Sequence, residues 1–309
     1  MAARITVIGA GVIGLSCAVR LAEAGHAVDV MAREMPLETT SAVAGGLWQP
    51  FLAEPADLVA GWAQATYHAL SRLAQEDETG VVLRPGYIVG LSERPTWADG
   101  LPVDLTYVNH PHPRHRGGWH LTVPMVDMTV YLPYLVARLQ AAGGTLTRMP
   151  LSALPARGLV VNCTGLASRA LAADPSVYPV RGQVLRMSNP GITEWWADDT
   201  DPDVLTYVLP HARHVVVGGT AQVNDFETTP DQALAAQILE RAKELVPALE
   251  RATVLAHRVG LRPARPAVRL ETVRGAEGTT IHCYGHGGSG VTLSWGCADD
   301  VLAQVSALT

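Results

Sequence analysis

Lysine is nearly absent from this chain: Lys243 stands alone, and arginine supplies the rest of the 23 basic side chains. Phenylalanine occurs twice. Acidic residues number 29, so the formal charge is −6 at neutral pH. A net acidic surface attracts neither nucleic acid nor anionic membrane, and neither is expected as a partner. No apolar run approaches the roughly 20 residues that a bilayer-crossing helix needs. The N-terminus passes straight into "RITVIGAG" without a signal-peptide pattern, and "QVSALT" at the C-terminus carries no S-K-L tripeptide, so the expected location is the cytoplasm. Cys17, Cys163, Cys283 and Cys297 lie far apart with no C-x-x-C among them. That scatter leads to an expectation of no disulfide framework, no structural zinc and a reducing compartment. Internal repeats, low-complexity segments and paired carboxylates for acid–base work are also missing.

What is present is a core-forming sequence, 48% hydrophobic over 309 residues, enough for one large or two medium domains. The opening segment alternates an apolar run "RITVIGA", a glycine-rich turn, a helical pattern "VIGLSCAVRLAEAG" and a second apolar run "HAVDVMAR". This predicts strand, helix and parallel strand, with Gly25 just past the helix end. Across the turn, Gly9, Ala10, Gly11, Val12, Ile13 and Gly14 form a G-x-G-x-x-G string. The first glycine permits the turn and the second lets backbone approach a pyrophosphate. The third brings helix and strand together, with the phosphates at the helix N-terminus. The acidic residue that should bind the ribose some 20 residues later is not cleanly placed: Arg33 and Glu34 are the candidates. "MTVYLPYLVARLQAAGG" predicts a helix capped by Asp127, and "GLVVNCTG" a buried strand. The segments "GYIVGLSE", "WHLTVPM", "GQVLRMS", "LTYVLP" and "HVVVGGT" predict an antiparallel sheet, interrupted by the helix "TPDQALAAQILERAKELVP". The expected fold is α/β (α+β overall): a Rossmann-like domain from residues 1–50, 125–180 and 260–309, interleaved with a sheet domain from 51–124 and 181–259.

Three stretches have chemistry to explain. "RVGLRPARPAVR" sets Arg258, Arg262, Arg265 and Arg269 around two prolines. Proline fixes φ and removes a donor, so this segment cannot be helix interior; it is a stiff extended presentation of guanidinium groups, or else a solvated loop. In "YGHGGSGVT" the glycines imply close backbone approach to a ligand, or a flexible turn. "NHPHPRHRGGWH" offers His110, His112, His115 and His120, but the spacing fits neither a helical pair nor a zinc ribbon and the prolines predict a loop, so no metal site is expected.

Together these motifs resemble the D-amino acid oxidase family of FAD-dependent flavoproteins. "TTSAVAGGLWQP", "TYVLPHARHVVVGGT", "VGLRPARPAVRLE" and "IHCYGHGGSGVTLSWGCA" occur in the family's order across most of the chain. The resemblance implies FAD as cofactor, held by the glycine-rich turn with Arg33 or Glu34, by Thr40 and Ser41 near the pyrophosphate, and by Gly45, Gly46 and Leu47 beside the flavin. Met149 takes the adenine side, Thr164 follows its strand, and Gly287, Gly288, Gly290, Val291 and Thr292 reach the pyrimidine end. It implies that Arg262 and Tyr207 hold a substrate carboxylate and that the Gly288 carbonyl accepts a bond from its amine. Leu47, Gln49, Leu209 and Ala221 edge the pocket. The implied partners are a D-amino acid and molecular oxygen, with a homodimer left open. The implied reaction is hydride transfer from the α-carbon to flavin N5, yielding a 2-oxo acid, ammonia and hydrogen peroxide. Arg265 and Arg269 are expected to be structural or near the cofactor, and Arg258 either. Many family members carry aromatics where this chain has Asp203 and Ala221, and D-aspartate oxidases would need an arginine near 221, so neutral or apolar substrates are expected. Residues 187–205 are expected as an entrance lid, with Trp195 and Trp196 either covering the site or buried. The competing readings are D-aspartate oxidase, glycine or sarcosine oxidase, an NAD-dependent dehydrogenase and a non-catalytic flavoprotein.

Overall fold

The computed structural model describes residues 3–50, 53–98, 103–201 and 204–309. The chain opens with β1 (Arg4–Ile8), α1 (Val12–Glu23) and β2 (Ala27–Ala32), then α2 (Ala56–Leu73), β3 (Val81–Val89), β4 (Leu105–His112) and β5 (His115–Val126). It continues through α3 (Met128–Ala141), β6 (Thr145–Arg148), β7 (Gly158–Asn162), the short α4 (Ser168–Leu171), β8 (Tyr178–Ser188), β9 (Trp195–Asp198) and β10 (Thr206–Pro210). The remaining elements are β11 (His214–Gly218), β12 (Gln222–Val223), α5 (Gln232–Leu245), β13 (Val254–Arg274), β14 (Gly278–His286) and α6 (Gly290–Ser306).

All the strands join one sheet, ordered β4-β5-β3-β9-β10-β11-β8-β13-β14-β7-β1-β2-β6, with β12 beside β8. From β14 to β6 every pairing is parallel. Parallel strands are covered on both faces, which explains their unbroken apolar runs: Ile5, Val7, Val30 and Val161 are fully buried. α1 packs between α3 and α6. Gly25 takes φ +90° just past α1, and the Asp127 carboxylate caps α3 by accepting from Thr129 N at 3.0 Å.

From β4 to β13 the sheet is antiparallel except where β3 runs parallel to β9. Side chains alternate across it. Leu185, Met187, Val208, Val215 and Val217 pack beneath α5, leaving Tyr207, Leu209, Val216, Gly218 and Gly182 on the opposite face.

The proline-rich arginine segment lies inside β13, which is 21 residues long and joins the two regions. Its first half pairs with β8 and its second with β14. The register shifts between Ala264 and Arg269, where Pro266 has no amide to donate.

Two expectations are corrected. Residues 109–120 are a β4–β5 hairpin with a tight turn at 113–114, so the histidines alternate along strands; His115 Nε2 faces Asp198 Oδ2 at 3.4 Å, and His120 lies against the Tyr87 ring. The 187–205 segment is no lid over its described length, because β9 fills the sheet between β3 and β10. Trp195 is buried, its indole N–H donating to the Arg84 carbonyl at 3.0 Å, while Trp196 stacks on Tyr87. Asp203 lies outside the described residues. Among those residues no helix is long and apolar enough to cross a membrane.

Candidate active site

The glycine-rich turn owes its shape to two backbone contacts. Gly9 has φ +112°, and a Cβ there would stand 2.9 Å from the Cys163 carbonyl carbon; one on Gly14 would stand 2.9 Å from that of Gly9. Neither position admits a side chain without moving backbone. Gly11 begins α1 with no side-chain cap, and Val12 N donates to Ser41 Oγ at 3.0 Å. Ala10 and Ile13 sit in the same turn, with Ala10 buried. Thr40 Oγ1 donates to the Leu261 carbonyl at 3.2 Å, so the 40–43 turn ties α1 to β13. Gly290 starts α6 with its Cα facing Val12, bringing two helix N-termini together. Thr164, beside Gly9, donates to Asn162 Oδ1 at 2.8 Å. Met149 N donates to the Ala32 carbonyl at the end of β2, and its side chain is exposed. Arg33 and Glu34 are exposed there too, paired with each other at 2.6 Å. A crevice at the carboxyl ends of parallel strands, with positive helix ends and glycines that clear the backbone, fits a dinucleotide pyrophosphate.

The 44–49 segment borders this crevice. Gly46, at φ +77°, accepts from Val126 N at 2.9 Å, Leu47 bridges to Met125, and Trp48 N donates to the Pro124 carbonyl. Gln49 N donates to Thr292 Oγ1 at 3.2 Å, and that hydroxyl donates back to the Gln49 carbonyl at 3.0 Å. Val291 and Thr292 are both buried. Gly45 lies under the Leu209 side chain and accepts from His211 Nε2 at 3.0 Å, which fixes that tautomer.

Beyond Gly45 two polar side chains lie flat on the sheet over glycines. The Tyr207 ring crosses Gly218, where a Cβ would meet its Cε2 at 2.7 Å; the Arg262 guanidinium crosses Gly182, where a Cβ would meet Cζ at 2.6 Å. Gly218 pairs with Val184, two residues along β8 from Gly182, so the two groups occupy adjoining strands of one face. Arg262 Nη1 donates to the Thr220 carbonyl at 2.9 Å, and exposed Ala221 follows. Gly287 N donates to the Pro263 carbonyl at 2.9 Å, which ties the turn carrying exposed Gly288 to the residue that follows Arg262.

The other arginines of the segment separate from this group. Arg265 Nε donates to Asp174 Oδ2 at 3.0 Å, Arg269 to Tyr284 Oη and Glu271 Oε1 at 2.6 Å each, and Arg258 is exposed. Burial alone would raise the Asp174 carboxyl, but bonds from Ser176, Tyr284 and Arg265 outweigh it and hold the group well below the usual carboxylate range.

Sequence reasoning missed Gly182 and Gly218, although glycine inside a strand is a signal of close approach. It also missed Thr220 and His211, which act through a carbonyl and a ring nitrogen that no motif marks.

Three buried histidines give an acid sensitivity. Burial lowers His211, His282 and His286 to about 4, partly opposed at His211 by Asp127 and reinforced at His282 by Arg269. Unfolded imidazoles protonate near 6.5. Protons therefore favour the unfolded chain between these values, so stability is full above about pH 6.5 and is lost as pH falls toward 4. Thermal melts from pH 8 to 4 should show Tm falling steadily below 6.5, with net proton uptake on unfolding to which His112 and His214, also lowered by burial, contribute; a flat Tm between pH 7 and 5 would contradict the assignment.

Residues 4–304 match the family model described as FAD dependent oxidoreductase. The chain is 45% identical to a D-amino-acid oxidase of Rubrobacter xylanophilus, covering 99% of this chain and 96% of that one, and 36% identical to human D-aspartate oxidase, covering 98% and 95%. Its fold superposes on a glycine oxidase from Geobacillus kaustophilus with a TM-score of 0.82 at 19% identity, over 98% and 95% of the two chains. With its glycine-lined dinucleotide crevice and a family match over nearly its whole length, this chain belongs to the DAO family of FAD-dependent oxidoreductases.

Proposed function

We propose that this enzyme oxidises neutral or apolar D-amino acids to 2-oxo acids, with ammonia and hydrogen peroxide as the other products. The observation that carries the reading is the pair Tyr207 and Arg262, laid over Gly218 and Gly182 next to the dinucleotide crevice. A planar guanidinium offers two parallel donors to a carboxylate, and a phenol adds a third. The Gly288 carbonyl then accepts from the amine. Three contacts of this kind leave the α-hydrogen one direction to point, and such orientation supplies several kcal/mol of a barrier. The turn Gly9–Gly14 with Thr40 and Ser41 would hold FAD, which when bound would supply the electron sink for the oxidation, oxygen being the final acceptor. Leu47, Leu209 and Gln49 border the reaction space and keep water from it.

Ala221 decides between this reading and D-aspartate oxidation, since it offers no cation to a side-chain carboxylate. Residues 1–50, 125–180 and 260–309 form the cofactor-binding part of the proposal, and 51–124 and 181–259 the substrate part. The cytoplasm is its proposed location, which four free buried thiols suit, and a homodimer its proposed assembly. Peroxide release from the FAD-loaded enzyme is the test, across D-valine, D-methionine, D-proline, D-aspartate, the L-enantiomers, glycine and sarcosine. Turnover confined to neutral D-enantiomers supports the proposal; a preference for D-aspartate or glycine overturns it.

The cofactor assignment has its own check. In Gly14→Ala the new methyl meets backbone, so nothing can yield. FAD affinity should fall by at least about 100-fold, equivalent to about 3 kcal/mol, and Tm with it; a variant that purifies fully flavinylated would refute the placement.

A further inference from the structure

The four cysteines, so far apart in sequence, meet in space. Cys17 comes from α1, Cys163 follows β7, Cys283 is on β14 and Cys297 on α6, and all are buried free thiols. The sulfurs of Cys17, Cys163 and Cys283 lie within 4.8 Å of one another. On the other side of Cys283, its sulfur, the Cys297 sulfur and a ring nitrogen of His286 form a second set with the same limit. His286 is itself buried, with Nε2 turned to the Cys283 sulfur at 3.9 Å. Nothing in the proposed reaction uses any of these groups.

We propose that Cys283, His286 and Cys297 form a three-ligand binding site for one thiophilic divalent cation of the zinc and cadmium class. Donor type points to that class: sulfur and imidazole suit such ions, whereas magnesium and calcium take oxygen ligands. Spacing agrees, because metal–sulfur bonds of about 2.3 Å in a tetrahedron set sulfurs roughly 3.8 Å apart. Closing the set onto an ion needs the two sulfurs to approach by about 1 Å at most, and the imidazole nitrogen by slightly more. Charge balance fixes the protonation. A net charge out of water is costly, so a neutral centre is favoured: two thiolates against one divalent cation, with the imidazole and any further thiol neutral. Binding therefore releases two protons and forms two metal–thiolate bonds. Cys283 and His286 make a C-x-x-H chelate along β14, and Cys297 reaches it from α6. The sequence offered no such reading, since the third ligand enters only when α6 packs on β14.

Cadmium is the probe, incubated overnight with the purified flavin-containing enzyme because the site is enclosed, followed by gel filtration, elemental analysis and ultraviolet difference spectra. The expected result is one cadmium per chain with a thiolate-to-cadmium absorption band, reduced at least tenfold in Cys297→Ala and in Cys283→Ala. Should Cys283→Ala fail to retain FAD, Cys297→Ala and His286→Asn decide, each against the flavin content of the same sample. An enzyme that takes up no cadmium, even when produced in cadmium-supplemented medium, overturns the proposal; so does stoichiometric cadmium in Cys297→Ala. Neither result depends on which substrate the enzyme oxidises.

Discussion

Arg262→Ala raises KM for a neutral D-amino acid by about 30-fold or more while FAD stays bound. Removing one partner from a desolvated, hydrogen-bonded charge pair costs about 2–5 kcal/mol, and every 1.4 kcal/mol is about tenfold in affinity. Among the described residues the guanidinium makes one hydrogen bond, to the Thr220 carbonyl at 2.9 Å, so its other donors remain to meet a carboxylate. Its bond to Thr220 and its place over Gly182 set it on the substrate side, which is why the cofactor should survive. Arg262→Lys recovers only part of the loss, because an ammonium is a point charge without the fork. Steady-state kinetics with peroxide detection, beside the flavin-to-protein absorbance ratio, separate the two effects. An unchanged KM would remove Arg262 from the substrate site.

Local periodicity carried much of the fold. The β1–α1–β2 unit, the Asp127 cap, the α5 helix and the parallel β7 strand follow from apolar spacing, a capping carboxylate and glycine at a helix end, all of which act within a few residues. What stayed hidden depends on contacts distant in sequence. Resemblance implies a lid over the 187–205 segment, with Trp195 and Trp196 either covering the site or buried, and only pairing to β3 and β10 makes β9 interior. The β4–β5 hairpin was hidden by prolines that mark loops more often than strands. The nearness of the four thiols was hidden for the same reason, since four separate elements bring them together. At the site, the arginine, the tyrosine and the glycine-rich turns were legible as types, but the glycines beneath Arg262 and Tyr207 were not, because what they provide is the space above them.

That space supports the second large effect: Gly182→Ala should impair substrate binding about as severely as a change at Arg262, with little change in stability. A Cβ on Gly182 would sit 2.6 Å from Arg262 Cζ, inside any van der Waals contact. The obstructed group is the far end of a long side chain, so the guanidinium swings aside and the fold is spared. Displacing a catalytic constellation by about 1 Å costs roughly 100-fold in rate. Added alanine in a strand carries a slight backbone benefit over glycine, so Tm should hold or rise. Gly218→Ala is the matching change beneath Tyr207, with a smaller loss because a phenol contributes one bond. Gly14→Ala supplies the contrast: there the obstructed atoms are backbone, and cofactor and stability fall together. Measuring kcat, KM, FAD content and Tm for the three variants distinguishes a substrate floor from a structural glycine. If Gly182→Ala keeps the parental KM, Arg262 does not hold the substrate in the orientation it has above Gly182.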